Sequence, residues 1–181
     1  MKKIFVPAIV CLNLFAAIQA KAQAPTGEEI KAQFIKDWER AKTYTVDYLN
    51  TMPANKYSFK AQDSIRSFAQ QMLHLAQANV GLLMGALGEP LSFARANLEG
   101  SPTAQTKDSV IYYVTASYDY AINGLKKLNP ATFGEKSKFF NFEETKYVWF
   151  LKAFEHQTHH RGQTTVYIRL QGIKPPQERL F

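Results

Sequence analysis

Residues Phe154-Glu155-His156-Gln157-Thr158-His159-His160-Arg161-Gly162-Gln163 hold three of the chain's four histidines. On a helix, residues three and four apart share a face, with Cβ atoms about 5–6 Å apart. His156 and His160 are four apart, and His156 and His159 three apart, so either pair brings two imidazoles together. At about 100° per residue, Trp149, His156, His160, Gln163 and Tyr167 fall within one narrow arc. Two imidazoles on one face suit zinc, iron, nickel or copper. They need a further ligand, and the remaining histidine is His74, distant in the chain. Histidine pairs on helices also occur as plain surface or hydrogen-bonded residues, so spacing alone leaves both roles open.

Working outward, the helix that carries the pair is predicted to start at a cap formed by Asn141 with Glu144 and to run to about Gln171. Gly172 and Pro175-Pro176 close it. The preceding helix spans Thr106 to Leu128, with Val110, Val114, Ser117, Ala121, Leu125 and Leu128 on one seam, and Asn129-Pro130 breaks it. Another spans Asp63 to Gly88 and ends at Glu89-Pro90. Its apolar stripe is Ile65, Phe68, Ala69, Met72, Ala76, Val80 and Leu83. The first helix opens at Thr26-Gly27-Glu28-Glu29, a capping box. Ile30, Phe34, Trp38, Ala41, Thr45 and Tyr48 follow at helical spacing, and Pro53 stops it. Ser92 to Ala104 is a connector. No strand pattern, repeat or low-complexity tract competes. Four long amphipathic helices make an all-α four-helix bundle. The connections after the second and third helices exceed bundle minima and leave room for crossovers.

Residues 1–22 read as a secretory signal peptide, followed by one domain over 25–181. Met1-Lys2-Lys3 is basic, Ile4 to Ala20 is apolar, and Ala20, Ala22 and Ala24 offer cleavage sites between Lys21 and Pro25. The apolar run is shorter than the ~20 residues of a membrane span. The expected location is periplasmic or secreted, with no membrane contact after cleavage. Val10 is not the small residue that lipidation of Cys11 requires. Cys11 is the chain's one cysteine, so the mature domain has no disulfide, thiolate ligand or cysteine nucleophile. The formal charge of +7 includes Lys2, Lys3 and Lys21; without them 19 basic residues face 15 acidic ones, a net of +4. No basic run with interleaved aromatics appears, so no nucleic-acid partner is expected.

His74 lies roughly opposite the stripe of its own helix, among Gln70, Ala78, Gly81 and Gly85. That face is either solvent-exposed or the floor of a groove where another helix comes close. No Glu lies between His156 and His160, so Glu155 is not the base of a His-Glu-x-x-His metalloprotease. No nucleophile elbow, Walker loop or dinucleotide fingerprint is present. Arg161 points to another face and is expected to pair with an acid. His159 is an alternative ligand, a hydrogen-bond partner of the ligands or a proton carrier, and the hydrogen-bond role is ranked first. Gln163 is placed at the site's edge, where it either orients a ligand or contacts substrate.

His156-x-x-His159-His160-Arg161-Gly162-Gln163, then Tyr167-Ile168-Arg169-Leu170-x-Gly172 and Pro175-Pro176, resembles the C-terminal signature of the DinB/YfiT-like family. Met52-Pro53-x-x-Lys56-Tyr57-x-Phe59 and Ser67-Phe68-Ala69-x-x-x-x-His74-Leu75 extend the resemblance over nearly all of the chain after the leader. The resemblance implies that His74, His156 and His160 bind one divalent ion, as Zn, Ni, Fe or Mn. Three imidazoles would leave a position open for water or substrate, as in a catalytic site. Occupancy is expected to fall below about pH 6, where imidazoles protonate. Family members include thiol-dependent transferases and isomerases, so the implied function is a metal-dependent transferase or hydrolase acting on a small molecule. Export disfavours a cytosolic thiol as co-substrate. The alternative is a non-catalytic metal-binding or stress-response binding protein. The resemblance also implies a homodimer through a bundle face, with Tyr112, Tyr113, Tyr118 and Tyr120 of the third helix as candidates.

Overall fold

Thr26 Oγ1 accepts the Glu29 N–H at 3.2 Å, and Glu29 Oε2 accepts the Thr26 N–H at 2.7 Å. The capping box therefore satisfies two helix-end donors reciprocally. Helix α1 runs Gly27–Thr51 from that cap. The structure, a computed structural model, describes residues 24–88, 91–139 and 141–181. The leader assigned to residues 1–22 lies outside them.

Helix α2 spans Phe68–Leu87 and starts five residues later than Asp63 suggested. Ser67 and Gln70 form a second capping box: Ser67 Oγ accepts the Gln70 N–H at 3.2 Å, and Gln70 Oε1 accepts the Ser67 N–H at 2.9 Å. The connector also accepts two first-turn donors, because Phe68 and Ala69 N–H groups reach the carbonyls of Phe59 and Tyr57, both at 2.9 Å. Ile65 therefore precedes the helix and is 41% exposed. Helix α3 spans Lys107–Lys127, with Thr106 as its N-cap.

The connection to the last helix departs from the sequence expectation. It contains an antiparallel hairpin of β1 (Lys136–Phe139) and β2 (Phe142–Thr145). Glu144 pairs with Ser137 in that hairpin, so it does not cap the helix. Thr145 does: its hydroxyl accepts the Val148 N–H at 3.3 Å. Helix α4 spans Lys146–Leu170 and ends at Gly172, whose φ of 72° favours glycine.

α2 packs mainly on α4 and α3, and α1 packs mainly on α3 and α4. Around the bundle the order is therefore α1, α3, α2, α4. The α1–α2 and α3–α4 connections cross the diagonal, a crossover form of the four-helix bundle. The long connection after α2 joins neighbours instead. Trp38, Tyr118, Phe68 and Phe150 are fully buried at the centre. Tyr118 is thus a core residue; of the four tyrosines suggested for a dimer face, Tyr112 is the one largely exposed, at 64%. No helix among the described residues is long and apolar enough to cross a membrane.

Arg161 is buried, and no described acid pairs with it. Its Nη1 donates to Gln157 Oε1 at 2.8 Å and to Thr45 Oγ1 at 3.4 Å. The guanidinium lies over the Tyr44 ring, 4.7 Å from its centroid, a favourable cation–π arrangement. Tyr118 donates to the same Gln157 oxygen at 2.7 Å.

Candidate metal centre

The α2–α4 packing explains where His74 goes. The stripe of α2 faces the bundle core, and its small-residue face meets α4 at Gly85 and borders a cleft beside the hairpin at Ala78 and Gly81. At Gly85 a Cβ would lie 2.8 Å from the Trp149 indole nitrogen, so glycine is what allows this approach. Eleven residues before Gly85, the same face carries His74. One helical turn brings His156 and His160 together on α4, with their Nε2 atoms 3.1 Å apart. The His74 ring centroid lies 5.2 Å from that of His156 and 4.5 Å from that of His160. One potential ligand atom from each of the three falls within 4.8 Å of the others. The group sits in a groove at the side of the bundle, not in its apolar centre.

The hydrogen bonds fix which ring nitrogen is available. Glu99 Oε1 lies 3.1 Å from His74 Nδ1. A carboxylate only accepts, so the neutral ring holds its proton on Nδ1 and leaves Nε2 as the ligand atom. Glu99 is itself anchored. Arg66 Nε donates to its other oxygen at 2.6 Å, and the Gln70 and Gln105 amides donate to its backbone carbonyl at 3.0 and 2.9 Å. His160 Nδ1 lies 2.9 Å from Gln71 Nε2, which also bonds to Gln163 Oε1. An amide N–H donates, so His160 carries its proton on Nε2 and directs it at His156 Nε2. The His156 proton is then on Nδ1, which is buried and has no hydrogen-bond partner. His74 and His156 are thus already in the ligating tautomer. His160 would shift its proton to Nδ1, with the Gln71 amide turned to present its oxygen.

Burial pushes all three rings toward the neutral form. His160 is lowered to about 3, by burial first and then by its neighbours His156 and His74. His156 is lowered to about 4, again chiefly by burial, with His74 next. His74 is lowered by burial and by Arg66, against the pull of Glu99. At neutral pH the cluster is three uncharged imidazoles, the protonation state that metal ligation requires. The 3.1 Å between Nε2 atoms is close to the ~3.3 Å separating two nitrogens held about 2.0–2.1 Å from one tetrahedral ion. The residues therefore fit a divalent cation. No fourth His, Cys, Asp or Glu among the described residues joins the group.

His159 stands outside the cluster, exposed, with its ring edge-on to His160 at 4.9 Å and its Nε2 2.7 Å from Gln163 Nε2. Gln163 thus joins Gln71 to His159. Glu155 is exposed and paired with Lys152 at 3.1 Å. Trp149 packs on Phe139 with ring centroids 6.1 Å apart, and the Tyr167 hydroxyl donates to the Arg66 carbonyl at 2.8 Å. Gln71 and Glu99 were missed from sequence. Gln71 had a usable signal, three residues before His74 on the same helix; Glu99 had none.

Two clefts meet at the histidines. One, about 900 Å³, is bordered by His160, Arg66, Glu99 and Gln163. The other, about 770 Å³, is bordered by His74, His156, Gly81 and Phe139.

The family model that matches this chain is that of the DinB family, over residues 21–179. The fold is similar to the crystal structure of a DinB-like protein from Bacillus cereus, at 16% identity and a TM-score of 0.71, covering 82% of this chain and 97% of that one. It is also similar to a DinB-like protein from Bacillus subtilis, at 19% identity and a TM-score of 0.59, covering 82% and 96% of the two chains. No curated protein matches the chain.

Proposed function

The chain belongs to the DinB family, and from that premise we propose that it is an exported metal-dependent enzyme, a transferase or hydrolase acting on a small molecule. His74, His156 and His160 hold the divalent ion through Nε2. The observation that carries this is the convergence of three neutral imidazoles with no fourth protein ligand among the described residues, between two clefts. A bound ion there would supply Lewis-acid polarisation of a substrate oxygen or activation of a water. Glu99 holds the His74 ring and its tautomer. Gln71, with its amide turned to present its oxygen, would do the same for His160, and Gln163 ties that amide to His159. His159, exposed in the polar cleft, is the side chain placed to carry a proton in and out. The expected export signal, residues 1–22, ends where the family match begins, which supports cleavage near that point.

The test is metal analysis of protein purified from its native source, followed by a substrate screen with the native ion loaded. One ion per chain with turnover supports the proposal. One ion without turnover on any class of small molecule favours the metal-binding alternative. N-terminal sequencing of the same material checks export: an intact Met1 on soluble cytoplasmic protein overturns it.

A further inference from the structure

The cleft between α2 and the hairpin has a composition of its own. Ala78 and Gly81 of α2 floor it, Leu82 and Phe139 wall it, and His74 and His156 stand at one end. Its charged lining residues are Arg95 and Lys138, and among the described residues no acid lines it. Neither cation forms an ion pair with a described residue, although Glu143 is the cross-strand neighbour of Lys138. A Cβ on Gly81 would meet only Phe139 Cζ, at an ordinary 3.8 Å, in contrast to the close approach at Gly85. A volume of about 770 Å³ lies within the range of small-molecule sites.

We propose that this cleft is the substrate subsite and that the substrate is an amphipathic anion. Its hydrocarbon body lies over Gly81 and Phe139, and a carboxylate or phosphate is held by Arg95 and Lys138. An anion there gains charge-assisted hydrogen bonds from two cations that have no competing carboxylate in the cleft among the described residues. The identity of the cleft as a substrate subsite rests on the metal-enzyme proposal; its preference for anions does not.

Octanoate, octyl phosphate and uncharged 1-octanol are titrated calorimetrically into the full-length mature protein, both metal-loaded and metal-free. The expected result is single-site binding, with both anions about tenfold tighter than octanol. Replacing both cations (Arg95→Ala with Lys138→Ala) should bring the anions down to the octanol level and leave octanol unchanged. Gly81→Leu should weaken all three, with Ala78→Leu as the second filling variant if helix content drops. The tighter of the two anions identifies the head group. Equal binding of octanoate and octanol by the unaltered protein overturns the proposal, as does anion binding indifferent to loss of both cations. The metal-free titration and the metal content of each variant separate this failure from failure of the metal site itself.

Discussion

The two clefts that meet at the histidines are similar in size and different in chemistry. The polar cleft gathers Lys60, Asp63, Arg66 and Glu99, cations and acids together, and there Glu99 pairs with Arg66 and His74. The cleft beside the hairpin carries Arg95 and Lys138 over an apolar floor and, among the described residues, no acid. On the first side Arg66, Glu99 and His74 are already engaged with one another, while Lys60 and Asp63 have no ion pair among the described residues. On the second, the charged groups have no ion-pair partner among the described residues and the floor is small residues. A difference of this kind divides labour. Groups committed to each other hold the ligands still, whereas uncommitted groups over an apolar surface are available to something that arrives.

The largest effect should come from the histidines shared by both sides. Replacing His74, His156 or His160 with Ala should weaken metal binding by more than the ~10–100-fold that supporting residues are worth. Metal content and affinity at neutral pH are the measurement. Full metal content in His74→Ala together with loss in His159→Ala would show that the wrong set has been chosen. Next, Glu99→Gln and Gln71→Ala should each cost about 10–100-fold in metal affinity. Phe139→Ala, across the site in the other cleft, should cost no metal. Equal losses on the two sides would erase the contrast between them.

Acid gives a further separation. His160 and His156 sit at about 3 and about 4, against about 6.5 for a histidine in the unfolded chain. As pH falls through that interval the unfolded state binds protons first. The stability of the metal-free protein is therefore full above about pH 6.5, declines as pH falls to about 3 and then levels off. The same depression keeps protons from displacing the ion until lower pH than sequence suggested, so metal should still be bound at about pH 5.5. Release with a midpoint near 6.5 in an equilibrium titration would contradict this. The smallest effect is expected from His159→Ala. It should change metal affinity less than Glu99→Gln, because His159 makes no direct hydrogen bond to the three rings and touches the cluster by an edge-on ring contact with His160 and through Gln163 and Gln71.

Features written in local chemistry were legible before the fold. The Thr26 capping box, the Val110-to-Leu125 seam and the one-turn spacing of His156 and His160 each depend on residues within a few positions of one another. What was misread depended on competition or distance. Asp63 and Ser67 both look like helix starts, and Ser67 wins because Gln70 completes its box and the Tyr57 and Phe59 carbonyls lie nearby. The hairpin strands are four residues each, mostly polar, and show no run long enough to read. Periodicity left His74 between solvent and a groove, because the stripe of α2 cannot show that the helix has two helical neighbours. Glu99 comes from a connector, and only tertiary packing delivers it to His74.

The buried Arg161 has a consequence for how α4 is aimed. Inward-facing positions of that helix include Gln157, His160, Arg161 and Thr164, so a continuous greasy stripe does not choose its rotation. Directional bonds do. Turning α4 by one residue, about 100°, would strand a guanidinium in the interior away from Tyr44, Thr45 and Gln157, and a buried charge without partners is among the costliest arrangements in a protein. The rotation that aims His156 and His160 at His74 is thus selected by making its alternatives intolerable. A neutral isostere at position 161 would fold with less conviction about which way the histidines look.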